Sequence, residues 1–210
     1  MTLHIDHGVI PQELRDLILE GKCVVFIGSG PSTGYLSWPD LVNTLCERCR
    51  STRRVSEHSP AADLLDAAQD AKESDRDAYF AFLGEHFGRP VANAPIIYDT
   101  LLLLPFACYL TVNFDPLLVL KARTSKNPCP GGVHAFPSLD RMQMHKRSIH
   151  HLHGLITEGT KPVEGAIVLA RDEFDSAYRA NSSLMNFLVS AIENQPILFI
   201  GCELNSTVTV

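Results

Sequence analysis

The sequence predicts an α/β fold: a Rossmann-like, mostly parallel open sheet with a helical insertion at about 38–104, within a single domain covering 1–210. Three observations predict it. Cys23-Val-Val-Phe-Ile27 is a continuous apolar, β-branched run between glycines, the pattern of a strand buried on both faces of a parallel sheet. A glycine-rich turn, Gly28 to Gly34, follows it at once. Further apolar runs then alternate with helical periodicity, as a sheet built from β-α-β units requires.

Taken in order, Pro11 to Gly21 opens with proline at a first helical position and closes on glycine, with Leu14, Leu17 and Ile18 on one face; this is a short helix. After the first strand, apolar residues recur at helical spacing from Trp38 to about Leu104: Leu41 and Leu45, Leu64 and Leu65, Tyr79, Phe80 and Leu83, then Ile96, Ile97 and Leu101. Strands are expected again at Ala107 to Val112, around Ile149 to Leu152, at Ala166 to Ala170 and at Pro196 to Ile200, with a helical segment near Glu173 to Glu193. Ser125 to Met144, with three prolines and paired glycines, has no period and reads as a loop of lid length.

At 210 residues the chain can bury roughly 70% of its unfolded surface in one sizeable core. With 45% hydrophobic and 20% charged residues, its composition excludes a disordered chain. A formal charge of −6 argues against nucleic acid as a partner, because that binding depends on Lys and Arg that neutralise phosphates. The one basic cluster, Arg48, Arg50, Arg53 and Arg54, reads as a solvated helix end. The longest apolar stretch is broken by Pro105 and falls short of a bilayer span, and the N-terminus has no secretion-signal pattern, so no membrane partner and a cytoplasmic location are expected. The six cysteines, three of them in apolar runs, are expected to be reduced.

Three constellations carry chemistry. The first is Gly28-Ser29-Gly30-Pro-Ser32-Thr-Gly34. Its glycines would let backbone N–H groups approach a phosphate, although a plain strand-to-loop turn fits the spacing equally well; with no Gly-Lys-Ser/Thr ending, a P-loop ATPase is disfavoured. The second is Thr111-Val-Asn113-Phe-Asp115 at the end of an expected strand. Ligands of open α/β sheets bind beyond the carboxyl ends of strands, which would place Asn113 and Asp115 beside the glycine turn; a helix-capping pair is the alternative. The third is His150-His151-Leu-His153-Gly154. Strand alternation would put His151 and His153 on one face, a spacing compatible with a metal, but no carboxylate or cysteine completes a ligand set, so no metal is expected. A histidine at a strand end beside a crevice suits general-base work, and a merely hydrogen-bonded turn histidine also fits.

Together these constellations resemble the sirtuin family, and more closely its SIR2-like branch found in bacterial NAD⁺-consuming defence proteins. The resemblance runs from Lys22 to about Leu204. Gly28 to Ser32 followed by Ser37-Trp38 matches that branch's opening, Thr111 to Asp115 its Thr-Asn-Tyr-Asp loop, Leu152-His153-Gly154 its catalytic His-Gly, and Phe199-Ile-Gly201 its last strand. The resemblance implies an NAD⁺ hydrolase that releases nicotinamide and ADP-ribose, possessing Asn113 and His153 as catalytic residues. It implies NAD contacts from Gly28, Ser29, Gly30, Ser32, Asp115, Gly201 and Glu203, with Asn113 placing the attacking group, Asp115 orienting the carboxamide and His153 acting as base.

It also implies an effector of an anti-phage system, acting as a homo-oligomer or with a fused or associated sensor protein. Deacylating sirtuins carry a zinc module of two Cys-x-x-Cys pairs after the His-Gly motif. Here the one such pair, Cys46 and Cys49, lies far upstream, and no cysteine occurs between His153 and Ile200. Ser37-Trp38-Pro39 stands where deacylases have Asp-Phe-Arg. No zinc is therefore expected, and hydrolysis is favoured over lysine deacylation. A non-catalytic NAD- or ADP-ribose-binding module is the alternative, because Gly201 to Ser206 departs from the family's Gly-Tyr-Ser-Leu-x-Asp. Thr207-Val-Thr-Val at the end reads as a strand cut from a longer effector.

Overall fold

The computed structural model describes residues 10–90, 94–144, 146–180 and 182–202. Glu203 and the Thr207–Val210 tail lie outside the described residues. The first helix, α1 (Gln12–Leu19), leads into β1 (Val24–Ile27); then come α2 (Trp38–Arg48), α3 (Ala61–Ser74), α4 (Arg76–Phe87) and α5 (Ile96–Leu103). The chain returns to the sheet at β2 (Cys108–Thr111), followed by α6 (Leu117–Thr124), β3 (Val133–Ala135), β4 (Ser148–His151), α7 (Arg171–Ala177), α8 (Ser183–Asn194) and β5 (Ile197–Ile200). The strands form one sheet in the order β3-β4-β2-β1-β5, every neighbouring pair parallel. This is the expected Rossmann-like α/β architecture.

The apolar runs of β1 and β2 become strands buried on both sides, while that of β5, at the sheet edge, stays partly exposed. Val25, Ile27, Tyr109 and Ile149 face a layer with α1, α5 and α6, while Val24, Cys108 and Leu110 face the layer that contains Leu184, Phe187 and Ala191 of α8. Alternation along each strand divides its apolar residues between these two layers. A third cluster lies among α2, α3 and α4 and includes Ile167 and Leu169. Ser37 starts α2 by accepting a hydrogen bond from the Asp40 N–H, and Pro39 occupies the first turn, where its missing N–H costs nothing. At the other end of the helical run, the Arg147 guanidinium donates to the carbonyls of Leu102 and Leu104 at 2.9 and 2.8 Å, satisfying acceptors that the end of α5 leaves open.

Three expectations need correction. Ala166 to Ala170 is not a strand. It is a buried extended segment whose N–H groups at Leu169 and Ala170 both donate to the Glu173 carboxylate at 2.9 Å, while its Val168 N–H donates to the His153 carbonyl, so no strand ladder forms. The missing fifth strand comes from the segment read as a loop: β3 pairs with β4 at the sheet edge, Val133 opposite Ile149. That segment lies on the edge and is not among the residues that line the site cavity. Finally, the helical stretch near Glu173 to Glu193 is two helices, broken after Ala177.

The basic cluster has partners. Arg53 contacts Asp70 at 3.0 Å, and Arg54 donates to the carbonyls of Ser51 and Arg53. Among the described residues, no helix is long and apolar enough to cross a membrane.

Candidate active site

The site forms where β1, β2 and β4 end. From β1 the chain moves to β2 on one side and later returns as β5 on the other, so the carboxyl end of β1 is a topological switch point, where open α/β sheets open a crevice. A cavity of about 440 Å³ lies there, within the usual range for small-ligand sites. Ser29, Gly30, Ser32, Asn113, Asp115 and His153 line it. Gly28 and Gly201 lie behind that lining, and Glu203 is outside the described residues.

Asn113 is held from three directions. Its Nδ2 donates to the Gly28 carbonyl at 2.8 Å and to Ser32 Oγ at 2.9 Å, and its backbone N–H donates to Thr111 Oγ1. A carbonyl can only accept, so the contact to Gly28 fixes which end of the amide is nitrogen. Both amide hydrogens are thereby used, and Oδ1 is the remaining polar atom, an acceptor. Ser32 is saturated: it donates to Asp115 Oδ2 at 2.7 Å and accepts from Asn113, which leaves its second lone pair to accept from the Tyr98 hydroxyl at 3.1 Å. Asp115 receives the Leu117 N–H, the first of α6, on its other oxygen at 3.0 Å, from one residue ahead of the N-cap Pro116. Asp115 thus both lines the cavity and satisfies an open N–H at the start of α6. Burial pushes the Asp115 carboxyl above the usual range, while the Ser32 hydroxyl and the Leu117 N–H oppose that rise.

The two histidines of the His-x-His motif do not share a face. β4 ends at His151 and the chain turns through Leu152 and His153, so strand alternation stops two residues short of His153. His151 is fully buried and contacts the Asn113 carbonyl at 2.8 Å through Nδ1, which must therefore donate. His153 turns into the cavity, and its Nε2 lies 2.7 Å from the Tyr178 hydroxyl. Burial lowers both imidazoles to about 4, so both are neutral at pH 7. Among the described residues no group of three His, Cys, Asp or Glu could hold a metal.

The glycine turn is built differently from the expectation of a bare phosphate cradle. The N–H groups of Gly28 and Gly30 donate to the carbonyls of Ile200 and Gly201 at 2.9 and 3.1 Å, which ties the turn to the end of β5. The hydroxyl-bearing Ser29, Ser32 and Thr33 are the polar residues this turn presents to the cavity.

Trp38, Leu41, Phe87, Phe114 and Phe174 give the cavity its apolar lining; of the residues in and around the site, sequence reasoning missed Phe87, Phe174, Tyr98 and Tyr178. Spacing gave no signal for these residues, because they arrive from helices far along the chain from the three motifs.

Fold and site together define a Rossmann-like α/β domain with its pocket beyond the carboxyl ends of the strands. Residues 107–209 match the family model of the SIR2-like domain, so this part of the chain is similar to that family. SIR2-like domains fall in the sirtuin superfamily, use NAD and are generally enzymes. The match takes in Asn113, Asp115, His153 and Gly201 and begins after the glycine turn. No curated protein matches the chain.

Proposed function

We propose that this protein hydrolyses NAD⁺ to nicotinamide and ADP-ribose. The observation that carries the proposal is the convergence of Asn113, Ser32, Asp115 and His153 on one cavity that aromatic side chains also line. Such a cavity can take a flat pyridinium against its aromatic side chains and ribose hydroxyls against its polar ones. The helices between β1 and β2 act as an inserted unit that supplies much of the apolar lining.

In this reading the C1′–N bond breaks with its electron pair leaving on nicotinamide, and water adds to the oxocarbenium-like sugar. Asn113 Oδ1, its only unused polar atom, accepts a hydrogen bond from the attacking water or a ribose hydroxyl. His153, neutral because burial holds its pKa near 4, takes the proton that water releases. Asp115 orients the carboxamide, and Ser29 with the residues at Gly28, Gly30 and Gly201 forms the floor along which the diphosphate lies. Positioning and electrostatic fit provide the catalysis, and no metal takes part. The wider role we propose is that of a cytoplasmic anti-phage effector, working as a homo-oligomer or with a sensor protein.

The test is release of nicotinamide and ADP-ribose from NAD⁺ by the purified chain. His153→Gln is expected to lower kcat by roughly 10²-fold or more at little cost in NAD⁺ affinity, the usual range for loss of a general base. His150 contacts Ser148 and packs on Phe187, away from the cavity, so His150→Gln should leave the rate nearly unchanged. A chain that binds ADP-ribose tightly and releases no nicotinamide would replace hydrolysis with the binding-module reading.

A further inference from the structure

The contact between His153 and Tyr178 carries an inference of its own, which rests on reading His153 as the base. A neutral imidazole has one N–H and one lone pair, and its chemistry depends on which nitrogen holds the proton. Nε2 of His153 is engaged with the Tyr178 hydroxyl at 2.7 Å. The nitrogen left for a ligand is therefore Nδ1, and Nδ1 can take a proton only if the ring hydrogen sits on Nε2.

We infer that Tyr178 is the positioning residue for His153: its oxygen accepts the Nε2–H, holds the ring edge-on and leaves Nδ1 as the basic nitrogen facing the reaction. The surroundings of Tyr178 suit that task. Its ring stacks on Phe174 with centroids 4.4 Å apart and meets the His153 ring edge-to-face at 5.7 Å and 90°. Phe174 itself lines the cavity. Tyr178 closes α7 through its N–H to the Phe174 carbonyl.

The start of α7 is anchored in turn. Glu173 holds the Leu169 and Ala170 N–H groups, and the buried Lys72 ammonium lies 2.9 Å from the same carboxylate. The Val168 N–H also donates to the His153 carbonyl at 3.0 Å, so backbone and ring of His153 are both fastened to this one segment. A phenol oxygen that accepts the Nε2–H orients the ring without the negative charge by which a carboxylate would raise its basicity.

The experiment combines ¹⁵N NMR of the imidazoles with kinetics on Tyr178→Phe, a change that keeps the stack on Phe174 and removes the hydroxyl alone. The His153 signals are identified by their loss in His153→Gln. Wild type is expected to show His153 as the Nε2–H tautomer at neutral pH. Tyr178→Phe should show a mixture of tautomers, with kcat reduced roughly tenfold, KM for NAD⁺ within about twofold, and an unchanged thermal midpoint. An Nδ1–H tautomer in wild type, or unchanged tautomer and kcat in Tyr178→Phe, would overturn the inference. If wild type releases no nicotinamide but loses its Nε2–H tautomer on Tyr178→Phe, the positioning role stands and the hydrolase reading alone falls.

Discussion

The glycine turn after β1 and the Thr111–Asp115 segment after β2 sit side by side at the same end of the sheet, yet they are held in opposite ways. The turn is fixed by backbone meeting backbone. A Cβ on Gly28 would come within 2.5 Å of the Gly201 carbonyl oxygen and 2.8 Å of Cys202 Sγ. Gly201 has φ of +65° and Pro31 directly against the place where its own Cβ would lie. The second segment is fixed by side chains, through the bonds of Asn113 to Gly28 and Ser32 and of Asp115 to Ser32 and Leu117. Glycines there are a packing requirement, and polar side chains beside them are the adjustable chemistry. Substitutions in the two segments should therefore fail in different ways.

The largest effect is expected at the turn. Gly28→Ala puts a methyl group into the backbone of β5's end, which cannot withdraw without breaking the Gly28 N–H to Ile200 bond at 2.9 Å. We expect a loss of about 3 kcal/mol, the upper part of the usual range for overpacking, and ligand binding lost along with the fold. Chemical denaturation of the variant measures it. A Gly28→Ala protein as stable as wild type that nevertheless failed to bind NAD⁺ would reverse the comparison, making the turn a ligand contact first.

Next comes Asn113→Ala. It removes two side-chain hydrogen bonds from a residue packed at the cavity rim, at an expected cost of about 1–2 kcal/mol. Turnover should fall to background while the variant stays folded. Parallel thermal melts and nicotinamide release would check both halves. A variant that unfolded outright would move Asn113 to the structural side of the comparison, with the capping role of the Thr111–Asp115 segment dominating its chemical one.

The same contrast explains what could be read from the sequence. β1 and β2 were legible because strands buried on both faces need runs of apolar residues; β5 carries such a run at the sheet edge, and β4, Ser148-Ile-His-His, was legible mainly from the Leu152-His153-Gly154 turn that follows it. β3 was not, since a three-residue edge strand, Val133-His134-Ala135, buries too little to leave a pattern. Ala166 to Ala170 misled because a buried apolar run looks the same whether its N–H groups meet a neighbouring strand or, as here, the carboxylate of Glu173. In the site, the motifs gave Asn113, Asp115, Ser32 and His153. Strand alternation failed for His151 and His153 because it was carried one turn beyond the strand's end. Tyr98 and Tyr178 reach the site only through tertiary packing, which one sequence does not encode as spacing.

The smallest expected effect is a pH dependence that separates the buried histidines from the rest of the site. Burial holds His150 at about 3 and His86, His151 and His153 at about 4, against an ordinary value of 6.5. In the unfolded chain these groups take up protons as pH falls through 6.5, whereas the folded protein refuses them until pH 3 to 4. Between those limits the unfolded state binds more protons, so stability rises with pH, is fully present above 6.5 and is lost as pH falls towards 4. Asp115 acts in the reverse sense, because its raised carboxyl keeps a proton in the folded state that the unfolded chain has already released. One such group against four leaves the net direction unchanged. Urea midpoints should be level between pH 7 and 8 and should decline steadily from pH 6.5 to 4.5. His150→Gln, which touches neither the cavity nor Asn113, should make that decline shallower while sparing turnover. Midpoints that stayed level down to pH 4.5 would mean these rings accept protons in the folded protein, and the neutral, buried character assigned to His153 as a base would fall with them.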